Sequence, residues 1–61
     1  MIIYLQTRGG LIAEHAIDII SGVMHRSTGD VHEVEYHVGG EPRTTYASAD
    51  AVANYWRRQT K

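Results

Sequence analysis

The alternation of hydrophobic and polar residues predicts a small sheet protein that ends in a helix. The first segment, Ile2 to Thr7, is apolar and β-branched at its start and stops at Arg8-Gly9-Gly10, which predicts a strand followed by a turn. Further along, Val31 to Val38 alternates cleanly between apolar and polar side chains, as a half-buried strand does. A turn at Gly39 to Pro42 and a short returning strand, Arg43 to Ala47, complete this part of the sheet.

The last segment of the chain is predicted to be a helix. Ser48 is a good N-cap, and Asp50 lies in the first turn where a negative charge favours the helix dipole. A helical stripe can close over the sheet; it consists of Ala49, Val52, Ala53 and Trp56.

The segment from Leu11 to Met24 fits two patterns. On a helical wheel its polar residues share one arc, which would give a β-α-β-β-α order with a helix at about 11–21. The hairpin that follows favours a strand instead. A two-residue turn at Thr28-Gly29 would pair apolar residues along one face of both arms, which supports a strand from about Ile17 to Arg26.

We therefore expect an α+β fold in one domain, residues 1–61, with three to four antiparallel strands capped by one C-terminal helix. An SH3-like small barrel and an open meander are both compatible with this order, and the β-α-β-β-α arrangement is the alternative. A chain of 61 residues buries only about 60% of its unfolded surface. It has no cysteine, so a partner subunit or a metal held by histidines and carboxylates remains as a source of stability.

Charge and hydropathy narrow the expected partners and location. No apolar run is long enough to cross a membrane, and the N-terminus has no signal-peptide pattern, so we expect a cytoplasmic protein with no membrane partner. The formal net charge of −1 argues against nucleic acid as the main partner. The chain begins with Met, and we expect a complete small gene product of the kind common among bacterial and phage accessory proteins.

Three of the four histidines lie between Met24 and His37, which raises the question of a metal site. The hairpin register predicts that His25 faces His32, with Asp30 on the same face, so these three residues are the metal candidates. The alternative is a solvent-exposed polar hairpin tip, which we favour because no second shell of supporting groups is recognisable. No cofactor is expected.

The same register predicts a candidate interaction surface. The otherwise polar face of the sheet carries Ile20, Met24 and Val31, which are more apolar than a solvated face requires. The chain has no nucleophile elbow, P-loop or dinucleotide-binding turn, so we expect no enzymatic activity. The leading hypothesis is a non-enzymatic interaction module that self-associates or binds another protein through a sheet face or edge.

The alternative is nucleic-acid binding at the C-terminus. There, tyrosine and tryptophan precede a group of cations, a mixture that suits base stacking and phosphate contact. The candidate residues are Arg57, Arg58 and Lys61.

Overall fold

A computed structural model describes residues 2–27 and 29–59 of the chain. Within these residues the elements follow one another with short connections. They are β1 (Tyr4–Thr7), β2 (Gly10–Ala13), a single 3₁₀ turn (Glu14–Ala16), β3 (Ile17–Arg26), β4 (Gly29–Val38), β5 (Glu41–Ser48) and α1 (Ala49–Gln59).

The strands form two antiparallel sheets. β1 pairs with β2, while β3, β4 and β5 form a three-stranded sheet in that order. The predicted α+β class, the antiparallel sheet and the C-terminal helix are confirmed. The described strands form an open arrangement and do not close into a barrel. The alternative with a helix at about 11–21 is wrong, because that stretch is divided among β2, the 3₁₀ turn and the start of β3.

The turn between β1 and β2 explains why the helix does not form. The Thr7 hydroxyl accepts the Gly9 N–H at 3.1 Å and donates to the Gly10 carbonyl at 2.7 Å. Gly10 has a φ of +107°, a conformation that favours glycine and reverses the chain. Gly9 lies so close to β5 that a Cβ there would sit 3.2 Å from the Thr45 hydroxyl oxygen. The chain therefore reverses directly after β1, and the residues that follow pair with β1 as the antiparallel strand β2 instead of forming a helix.

The hydrophobic core lies between the three-stranded sheet and the layer made by β1 and α1. It consists of Leu5, Val34, Ala47, Val52 and Tyr55, of which Leu5 and Val34 are completely buried. Burial of such side chains is the main favourable contribution to folding, at about 25 cal/mol per Å² of apolar surface.

The helix is rotated relative to the predicted stripe. Tyr55 is buried, whereas Trp56 is 49% exposed and Ala53 is also on the surface. Tyr55 can be buried because its hydroxyl accepts a hydrogen bond from the Gln59 amide at 2.8 Å. The Ser48 cap is confirmed, since its hydroxyl accepts the Ala51 N–H at 3.1 Å. No helix in the described part of the chain is both long and apolar enough to cross a membrane.

The register of the β3–β4 hairpin differs from the prediction. Arg26 pairs with Gly29, so Gly29 belongs to β4 and not to the predicted turn at Thr28-Gly29; Thr28 lies outside the described residues. Gly29 can begin the returning strand because its φ of +119° is available to glycine.

Two register shifts change which face of β3 points to the core. One lies between Ile17 and Ile19, and the other between Ile20 and Val23. Each adds an extra residue on β3, as a β-bulge does. Ile20 consequently pairs with Val34 and packs against the core, whereas Ile19 pairs with Glu35 on the other side of the sheet.

Candidate interaction surface

β3 is an edge strand of ten residues that pairs with β4 on one side only. An edge strand presents a row of backbone N–H and C=O groups that can pair with another chain. The opposite edge of the sheet, β5, is partly covered by the first hairpin, because the Arg8 N–H donates to the Tyr46 carbonyl at 2.9 Å. The edge of β3 is therefore the more accessible of the two.

Two apolar side chains on β3 are exposed. Ile19 is 54% exposed and Val23 is 46% exposed. We call the side of the sheet that carries Val34 the core face and the opposite side the outer face. Val23 pairs with His32, two residues from Val34 along β4, so Val23 is on the core face, while Ile19 is on the outer face. Both faces of the edge strand thus offer apolar surface.

Charges of opposite sign lie at the two ends of β3, both on the outer face. The Asp18 carboxylate contacts His37 Nδ1 at 3.0 Å across the hairpin. At the other end, the Arg26 guanidinium lies 5.6 Å from the centre of the Tyr46 ring, a cation–π distance. The strand therefore runs from an acidic end to a basic end.

The predicted interaction residues are only partly placed where they were expected. Met24 is half-buried on the outer face and pairs with Val31. Val31 is only 7% exposed, and Ile20 is on the core face, so neither belongs to an exposed outer surface. The prediction of these two residues as a shared exposed surface is wrong for two reasons. The bulges of β3 turn Ile20 to the core face, and Val31 is buried although it is on the outer face. Ile19 was missed because of the first bulge, whereas Val23 is on the core face as predicted but is 46% exposed there.

The predicted metal candidates do not converge. His25 pairs with Asp30, and His25 Nδ1 contacts the Asp30 carboxylate at 2.7 Å. His32 turns away, and its Nδ1–H donates to the Ser21 carbonyl at 3.0 Å. No group of three or more potential ligands is found in residues 2–27 and 29–59. The predicted three-ligand arrangement is therefore wrong, because the hairpin register pairs His25 with Asp30 instead of His32.

The nucleic-acid candidates are at the end of α1. Arg57 and Arg58 are exposed in the last turn of the helix, and Lys61 lies outside the described residues. Arg57 already interacts with another group of the protein. The neighbouring Trp56 is half-exposed, and its ring meets that of Tyr55 edge-on, with the ring centres 5.3 Å apart.

One buried group in α1 has a perturbed acidity. Burial raises the pKa of Tyr55 above its ordinary value of 10.0, and the negative charge of Glu14 raises it further. The hydrogen bond from Gln59 acts in the opposite direction. The Gln59 amide also donates to the Glu14 carboxylate, which ties the helix end to the 3₁₀ turn. These contacts hold α1 against the rest of the fold, because the Tyr55 side chain is buried in the core.

A cleft of about 280 Å³ lies where the first turn meets the start of β4 and the end of β5. Arg8 and Asp30 are among its walls, so it carries both signs of charge. The Asp30 carboxylate is already paired with His25. Ligand pockets commonly enclose about 300–1,000 Å³, so this cleft is slightly smaller than that range.

Among the described strands, β3 combines an edge paired on one side only with half-exposed apolar side chains on both faces. No protein-family model, no curated protein and no solved structure matches this chain.

Proposed function

We propose that this chain is a non-enzymatic interaction module that self-associates through the edge of β3. The observation that carries the proposal is a ten-residue edge strand, paired on one side only, with half-exposed apolar residues on both of its faces. Strand addition to such an edge uses main-chain hydrogen bonds for affinity and side chains for specificity.

The small size of the domain supports self-association. Its buried apolar core comprises a few side chains around Leu5 and Val34. A domain of about 60 residues is marginally stable by itself, and any partner that binds only the folded state adds to its stability. A second copy is always present at the concentration of the protein itself.

The distribution of ionisable groups supports a binding role in preference to catalysis. The two imidazole–carboxylate pairs, His25–Asp30 and His37–Asp18, lie at the protein surface, where water screens their charges. They are on opposite faces of the hairpin, so they cannot act on one substrate together. The cleft of about 280 Å³ contains only one of these four side chains, Asp30.

The proposal is tested with Ile19→Glu and the control Val38→Glu. Both side chains are 54% exposed, so the two substitutions place the same charge at equal exposure. Ile19 is in the edge strand, whereas Val38 is at the far end of the central strand β4. Circular dichroism checks that both variants keep the fold.

Sedimentation equilibrium over a range of concentrations should show a wild-type chain that associates. Val38→Glu should retain this behaviour, and Ile19→Glu should weaken it at least tenfold, because the apolar contact of Ile19 with the second copy is lost, at a cost of about 1.4 kcal/mol or more. A wild-type chain that remains monomeric throughout, or an Ile19→Glu variant that associates as wild type does, would contradict the proposal.

A further inference from the structure

We infer that β3 pairs antiparallel with β3 of a second copy, about a two-fold axis at Ser21 and Gly22, and that Asp18 of each copy meets Arg26 of the other. This inference rests on the proposed self-association and specifies its geometry. The result is one continuous six-stranded sheet built from two three-stranded sheets. Such closed two-fold pairing consumes both free β3 edges and stops at a dimer.

The antiparallel direction follows from the charges. β3 has Asp18 near its start and Arg26 at its end, both on the outer face. Parallel pairing in register would bring like charges together at each end. Antiparallel pairing brings opposite charges together at both ends. A two-fold axis perpendicular to the sheet also keeps the outer faces of both copies on the same side.

The position of the axis follows from the faces of the apolar residues. With the axis at Ser21 and Gly22, Ile20 of one copy lies opposite Val23 of the other, and both are on the core face. Ile19 lies opposite Met24 of the other copy, and both are on the outer face. The half-exposed Ile19 and Val23 side chains thereby gain apolar neighbours.

The second bulge, between Ile20 and Val23, lies on the proposed two-fold axis. Gly22 is exposed and has no side chain that a strand paired at this position would have to accommodate. A slip of one residue would place Ile19 and Val23 opposite residues on the wrong faces, because strand side chains alternate. The two bulges therefore define a self-complementary edge as well as the core.

The charged residues complete the register. Asp18 is the extra residue of the first bulge and shares the outer face with Ile19. In this register Asp18 lies opposite His25 of the second copy and one residue from Arg26. Because the bulge turns Asp18 to the outer face, its carboxylate is on the same face as the Arg26 side chain, which is long enough to reach it. The second carboxylate oxygen of Asp18 can accept this contact while the first remains on His37.

The test uses charge reversal in mixtures. Asp18→Arg alone and Arg26→Asp alone each create two like-charge contacts in a homodimer, so each should weaken self-association about tenfold. An equimolar mixture of the two variants should form heterodimers preferentially, because every contact then joins opposite charges. The double variant D18R/R26D should associate as wild type does. Native mass spectrometry with one variant isotope-labelled distinguishes heterodimers from homodimers.

The matched controls are Asp50→Arg and Arg58→Asp on α1, which change the net charge equally but lie outside β3. Their mixture should show no preference for heterodimers. His37→Gln removes the partner of Asp18 within the chain and should leave association unchanged. This control shows whether Asp18 acts through its contact with the second copy or only by stabilising its own hairpin. Circular dichroism confirms that each variant is folded.

The outcomes distinguish the inference from the proposed function. If Ile19→Glu abolishes association but the charge-reversed mixture shows no heterodimer preference, the antiparallel register is wrong and self-association through β3 stands. If Ile19→Glu leaves association unchanged, both are overturned. The register is supported if the mixture forms heterodimers preferentially and the double variant D18R/R26D associates as wild type does. Only antiparallel contacts between the two ends of β3 produce both results.

Discussion

Replacing Leu5 by alanine should remove most of the stability of this domain. The Leu5 side chain is completely buried among the residues that join β1, the sheet and α1. Loss of a buried leucine side chain typically costs about 2–5 kcal/mol, because apolar contact is lost and a cavity remains. The matched control is Leu11→Ala in the same hairpin, where the side chain is 62% exposed. Its cost should be within about 0.5 kcal/mol.

The magnitude is decisive because the total stability is small. At about 0.05–0.15 kcal/mol per residue, a chain of 61 residues has a free energy of unfolding of about 3–9 kcal/mol. The loss at Leu5 is thus comparable to the whole. For a small domain with a urea m-value of about 1 kcal/mol/M, the midpoint of unfolding should fall by at least about 2 M.

Urea titrations followed by far-ultraviolet circular dichroism measure the effect. Both variants and the wild type are compared at one low protein concentration, since association would add to the apparent stability. Equal midpoints for Leu5→Ala and Leu11→Ala would refute the reasoning, because they would mean that the two leucines are buried to the same extent.

Two further predictions concern the first turn and the buried tyrosine. Gly9→Ala should lower stability by about 1 kcal/mol in thermal unfolding at a protein concentration too low for association, because its Cβ would crowd Thr45. Under the same conditions Gly22→Ala should raise stability by about 0.5 kcal/mol, because its Cβ meets no neighbour and alanine restricts the unfolded chain. Equal stability of the two variants would argue against the close approach at Gly9. Since the pKa of Tyr55 is raised by burial and by Glu14, its contribution to stability is complete below pH 10.0 and falls as the pH rises through the folded-state value. Urea unfolding on both sides of pH 10.0 should show a smaller decline for Tyr55→Phe than for wild type, and an equal decline would contradict this.

Several elements could be predicted because their signals are local. The strand from about Ile17 to Arg26, the alternating strand β4 and the Ser48 cap of α1 are all observed. A cap needs only one hydroxyl near a few N–H groups, and a strand pattern needs only alternation over neighbouring residues. The choice between helix and strand at 11–21 was also decided correctly by the following hairpin, since β3 begins at Ile17.

The candidate sites were harder to predict because they depend on register. A shift of two residues at the tip of the hairpin placed His25 beside Asp30 and separated it from His32. The bulges moved Ile20 to the core and left Ile19 exposed. The pattern of apolar residues does not reveal the register shift or the bulges. Ile19 and Ile20 are the same residue type, so the sequence does not show which of them faces the core and which faces outward.

The sequence by itself thus determined the class of the fold, the location of most turns and the charges at the two ends of β3. Local propensity and periodicity are sufficient for these features because they involve residues that are close along the chain. Only the tertiary structure decided that Tyr55 and not Trp56 enters the core, and that β3 bulges so that Ile19 faces outward and remains exposed. Those choices arise from the fit of α1 and the first hairpin against the sheet, and such packing depends on residues far apart in sequence.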